Sequence, residues 1–113
     1  MDARLINPVI DSFREILPQL GFVNIQRGKL SMGSNSVESL GVTVIIGMTK
    51  DLRGSVAYNM SENTAKAIAS TMMGGMPVDQ FDELPQSAIS ELVNMVTANS
   101  AIRFEQLGLD VDI

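Results

Sequence analysis

The stretch from Val42 to Met60 limits the possible folds more than any other. Val42, Val44, Ile46 and Met48 alternate with Thr43, Ile45 and Gly47, which is the period of a strand with one apolar side. Lys50-Asp51-Leu52-Arg53-Gly54 then turns the chain, and Val56, Tyr58 and Met60 return in the same period. This predicts a β-hairpin. Its apolar face must be covered, and the rest of the chain offers helices to cover it. Leu5, Ile6, Val9, Ile10, Phe13, Ile16, Leu17 and Leu20 recur every three or four residues. Pro8 is placed in the first turn of this first helix, and Pro18 with Gly21 at its end. Ser61 is suited to cap a second helix whose inward stripe is Ala65, Ile68, Ala69 and Met72, closed by Gly74-Gly75. Met72, Met73 and Met76 are expected to fill core.

The third helix, Ser87 to Ala101, has two faces. At about 100° per residue, Ala88, Ile89, Leu92, Val93 and Val96 share one arc. Glu91 and Asn94 fall opposite, three positions apart and therefore neighbours on the helix surface. Beside them stand Ser87, Ser90, Ala98 and Ala101, all small, so an acid and an amide project from a low surface that another protein could approach. Asn99 falls on the apolar arc beside Leu92 and reads as a structural hydrogen-bonding residue. Asp82, Glu83 and Pro85 suit the positive N-terminal end of this helix. Between Phe22 and Gly33, the alternation of Val23, Ile25, Leu30 and Met32 predicts a further strand interrupted near Gly28, followed by a polar turn from Ser34 to Ser39. Leu109 to Ile113 alternates like the beginning of a last strand, with a sheet edge left short.

Composition excludes much chemistry. The 113 residues are 45% hydrophobic and carry a net charge of -5 with no basic cluster, so neither nucleic acid nor anionic lipid is an expected partner. Histidine and cysteine are both absent. Imidazole bases, Ser-His pairs, disulfides and thiolate or histidine metal sites therefore cannot be built from this chain. Lys50, Asp51 and Arg53 at the hairpin tip lack the glycine and lysine spacing of a phosphate-binding loop. No secretory signal or membrane-spanning run is present, and a cytoplasmic location is expected.

Two stretches carry a resemblance. Gly54 to Ser61 (GSVAYNMS), leading into the helix with Ala65, resembles the strand-to-helix passage of the CheC, CheX and FliY chemotaxis phosphatases. Ser87-Ala88, Glu91-x-x-Asn94 and Ala98-Asn99 are similar to that family's active-site helix, and the single copy is closest to the CheX branch. Ala98 stands where the family often has glycine, and the chain ends before the family's final strands. The resemblance implies an α+β fold, with helices packed against an antiparallel sheet in one CheX-like domain over residues 1–113 that lacks those C-terminal strands. It implies a phosphatase acting on a phosphorylated CheY-type response regulator. The catalytic residues would be Glu91 and Asn94, on a partner-binding surface of Ser87, Ser90, Ala98 and Ala101. It further implies no cofactor of its own, magnesium supplied by the regulator, and a homodimer. A non-catalytic regulator-binding module and a structural subunit of the flagellar switch are the alternative readings.

Overall fold

The computed structural model describes residues 3–31, 33 and 38–113. The elements are α1 (Ala3–Gln19), β1 (Gly41–Lys50), β2 (Gly54–Ser61), α2 (Glu62–Met72), α3 (Glu83–Gln106) and β3 (Val111–Asp112). The sheet is antiparallel in the order β2-β1-β3. The expected α+β architecture is therefore present.

The predicted hairpin forms in the predicted register. Val44 pairs with Tyr58 and Ile46 with Val56, so the apolar residues of both strands share one face. Val42, Val44, Ile46 and Met48 are half-buried, whereas Ile45 on the opposite face is 66% exposed. The helices lie over the first face, with α3 between α1 and α2. Tyr58, Leu92, Val93 and Val96 make one buried cluster, packed by Phe13, Ile16 and Leu17 of α1. Ala65, Ala69 and Ile89 make the other. Ser61 caps α2 as expected, accepting from the Thr64 amide at 3.1 Å. After Met72, Gly74 and Gly75 take φ of 75° and 91°, a region costly for other residues, and turn the chain away.

Several expectations are corrected. Helix α1 begins at Ala3, which places Pro8 in the second turn rather than the first, whereas Pro18 stands in the last turn, at the helix end as expected. Pro8 cannot donate a helical bond, yet it is buried and its carbonyl accepts from Ser12 Oγ at 2.6 Å. Packing of the apolar stripe outweighs the lost bond. No strand forms over the described part of 22–33. Val23 is 80% exposed and Asn24 adopts φ of 57°, which breaks the extended run before any partner strand can pair with it. Met32 of that expected strand, and residues 34–37 of the expected turn, lie outside the described residues. Asp82 occupies the cap position of α3 but makes no side-chain cap bond, so it contributes charge alone. Met72 and Met73 pack against the core. Met76, beyond the glycine turn, is 56% exposed and does not.

Buried polar groups tie the helices together. Thr97 Oγ1 donates to the Val93 carbonyl at 2.6 Å, which leaves the Tyr58 hydroxyl as donor to Thr97 Oγ1, also at 2.6 Å. The Tyr58 ring meets Phe13 edge-on at 5.9 Å. On α3, the Ser100 hydroxyl reaches Ser12 of α1 at 3.0 Å and the Val96 carbonyl at 2.9 Å.

Burial raises the Tyr58 pKa above the ordinary tyrosine value, and the Thr97 hydrogen bond only partly opposes it. The unfolded chain therefore releases this proton at lower pH than the fold does. The contribution of Tyr58 to stability is complete below about pH 10 and is lost as pH rises toward the folded value. Lys50 acts in the same direction, because its hydrogen bond to Asp110, with the charges of Asp110 and Asp112, raises its pKa. Denaturant unfolding should show stability falling above pH 10. Tyr58→Phe should flatten that fall to the residual Lys50 slope and cost about 1 kcal/mol at neutral pH, the value of one lost hydrogen bond. An unchanged alkaline slope in Tyr58→Phe would refute the assignment.

Candidate functional site

Helix α3 is amphipathic because one arc packs on the sheet and the flanking helices. Ile89, Leu92, Val93 and Val96 are buried, and Ala88 is half-buried. On the outer arc Ser87, Ser90, Glu91, Asn94 and Ala98 are exposed, while Ala101 is half-buried. The helix extends back to Glu83, and this extension builds more of the site than the sequence pattern indicated. Glu83, Ser87 and Glu91 succeed one another every four residues, as do Gln86, Ser90 and Asn94, so two rows of side chains run side by side up the outer face.

The two rows, with Met95, line an open hollow of about 680 Å³. Glu91 and Asn94 stand together at its upper end. Ala98 and Ala101 do not line it and continue the surface toward the C-terminal end of the helix. Glu83, Gln86 and Met95 were not foreseen as lining residues. Their signal was the same four-residue spacing, hidden while the helix was taken to start at Ser87. Gln86 is partly committed, donating from Nε2 to the Phe81 carbonyl at 2.8 Å.

Among the described residues, no side chain holds either Glu91 or Asn94. An exposed carboxylate and an exposed amide with no internal partner keep their whole hydrogen-bonding capacity for an incoming molecule. With Glu83 the hollow presents two acids and no base, which complements a cationic group. Asn99 differs from Asn94: it is half-buried and its Oδ1 accepts from Arg103 Nε at 3.0 Å. Arg103 also pairs with Glu15 of α1. Asn99 is thus part of the α1–α3 contact, in keeping with the structural role read for it. Among the described residues, no three Asp or Glu side chains converge as a metal-binding group, and no helix is long and apolar enough to cross a membrane.

Comparison with known proteins places this geometry. The family model for the chemotaxis phosphatase CheX matches residues 42–113, which include the hairpin, α2 and α3. The CheY-P phosphatase CheX of Thermotoga maritima is 40% identical over 113 residues, covering all of this chain and 73% of the relative. A crystal structure of a CheC-like superfamily protein from Shewanella sp. PV-4 superposes with a TM-score of 0.87 at 26% identity, over 99% of this chain and 73% of that one. A shared fold, identity along the whole chain and a family match across the site-bearing helix agree: this chain belongs to the CheX family of chemotaxis phosphatases.

Proposed function

We propose that the chain hydrolyses the aspartyl phosphate of a phosphorylated CheY-type response regulator in the cytoplasm, with Glu91 and Asn94 as its catalytic pair. The observation that carries this reading is the placement of the two side chains. They are one turn apart on the outer face of α3, exposed and without internal partners, in a chain of the CheX family. An amide is too weak a base to remove a proton from water, but it can accept from water and donate to phosphoryl oxygen at once. Its contribution is therefore orientation: Asn94 holds a water in line with phosphorus. Glu91 supplies the charge that meets the regulator's active-site lysine and fixes the register of Asn94. Magnesium remains in the regulator's own site, where it supplies charge stabilisation for phosphoryl transfer. Ser87, Ser90, Ala98 and Ala101 let the partner's surface approach closely.

The experiment is single-turnover decay of phosphorylated CheY with and without this chain. Acceleration proportional to the amount of chain added supports hydrolysis. Tight binding without acceleration would turn the reading into a regulator-binding module.

Assembly is the second part of the proposal. Strand β3 pairs only with Thr49 and Lys50, so the same side of β1 from Gly41 to Met48 has no strand against it among the described residues. Open edges invite pairing. A homodimer joined through the sheet would satisfy this one, and light scattering at micromolar concentration should give twice the chain mass. A monomer persisting at much higher concentration would refute it.

A further inference from the structure

The outer face of α3 carries more than its polar pair. Leu84 and Ile102 are 61% and 54% exposed. They are 18 residues apart, five turns at about 3.6 residues per turn, so they lie on one line along the helix. Glu91 lies within about 20° of that line and Ala98 within about 40°, and the half-buried Met95 flanks it on the other side. Leu84 precedes Glu91 by about 10 Å along the axis and Ile102 follows Asn94 by about 12 Å. Two aliphatic side chains thus bracket the acid and amide. At the Leu84 end, Leu84, Met73 and Met76 line a second hollow together with Asp79, Gln80 and Asp82, so that hollow is of mixed polarity.

We propose that Leu84 and Ile102 are apolar docking contacts that seat the phosphorylated receiver domain on α3, one on either side of Glu91 and Asn94. This rests on the phosphatase reading above. The occupant follows from continuity: Leu84 and Ile102 lie within about 20° of Glu91 around the helix and about 80° from Asn94, on the same outward face, so a domain seated over both members of the pair is brought against them. A second copy joined at the open edge of β1 would lie elsewhere, because the sheet faces the buried arc of α3 and this line faces away from it. The partner implied has a cationic centre for Glu91 flanked by two apolar patches, one about 10 Å to the Leu84 side and one about 16 Å to the Ile102 side. Exposed aliphatic side chains around a polar centre exclude water from it, the arrangement that concentrates binding energy in protein interfaces. Such contacts form before the chemical step and persist through it, so they act on KM and leave kcat alone.

The test uses the full chain with CheY of Thermotoga maritima, phosphorylated and freed of phosphodonor. Leu84→Ser and Ile102→Ser should each raise KM about fivefold, of the order expected for a partly buried aliphatic contact, with kcat within about twofold of the parent. The double variant should raise KM about 25-fold, since sites about 27 Å apart act independently. Leu84→Met and Ile102→Val should restore it. Melting temperature and light scattering should not change, because neither side chain is buried. A KM for the double variant within about twofold of the parent would overturn the proposal. So would conversion of a parent dimer into a monomer, which would assign this line to contact between copies. Binding of beryllofluoride-loaded CheY reads the same contacts without turnover. If the parent chain proves inactive, the phosphatase reading fails, while weakened binding by the double variant upholds the docking line and unchanged binding overturns it.

Discussion

Asn94→Ala is expected to slow dephosphorylation of the regulator about a hundredfold or more while leaving folding and regulator binding close to those of the parent chain. Asn94 is exposed and, among the described residues, unpartnered, so its truncation removes no buried contact and should stay within about 0.5 kcal/mol in stability. The rate effect is large because the amide has one task that no neighbour can assume. Ser90, one turn below it, is too short to reach the same point, and Gln86 is held by the Phe81 carbonyl. On the proposed reading the phosphoryl group, its metal and the lysine belong to the partner, so the variant should retain the regulator's intrinsic decay and lose only the acceleration. Single-turnover decay with binding measured in parallel separates these quantities. Full acceleration by Asn94→Ala would remove the water-positioning mechanism and leave α3 as a docking surface alone.

Where the sequence was informative, its period matched the packing. The alternation from Val42 to Met60 has one interpretation because each strand has a partner in the next segment, and Val44 facing Tyr58 makes the apolar face common to both. The third helix was legible for the same reason, with Ile89, Leu92, Val93 and Val96 buried and Glu91 and Asn94 outside. The pattern failed where tertiary context decides. Val23, Ile25 and Leu30 alternate, but alternation without a neighbouring strand leaves backbone groups to water, and the segment stays irregular and exposed. Thr97 and Ser100 are polar by composition and buried in fact, because Tyr58 and Ser12 wait across the interface to bond them. No single-helix pattern could reveal partners that lie 39 and 88 positions away. The extent of the hollow was missed because the helical period was followed only from Ser87, although Pro85 suited the N-terminal end of the helix. Pro85 is buried in the first turn of α3, where a missing amide hydrogen costs little, and the helix therefore starts early enough to bring in Glu83 and Gln86.

Glu91→Ala should behave differently from Asn94→Ala, losing affinity for the regulator as well as turnover. An acid that meets a lysine at an open surface contributes both to encounter and to register, so its removal weakens binding and leaves Asn94 less well aimed. Because Glu91 is exposed, the attraction is screened by salt. The affinity gap between parent and variant should therefore be widest at low ionic strength and should narrow as salt is added. The loss of turnover on the bound complex should persist, since alignment inside a closed contact is not restored by mobile ions. The double variant distinguishes a paired device from two separate contributions. If Glu91 acts on the chemical step by fixing where Asn94 sits, then once the amide is gone there is nothing left to aim. Glu91→Ala in that background should add scarcely any further loss to the rate of the bound complex. Losses that simply multiply would mean that the acid stabilises the reacting phosphoryl group through the lysine, independently of the water.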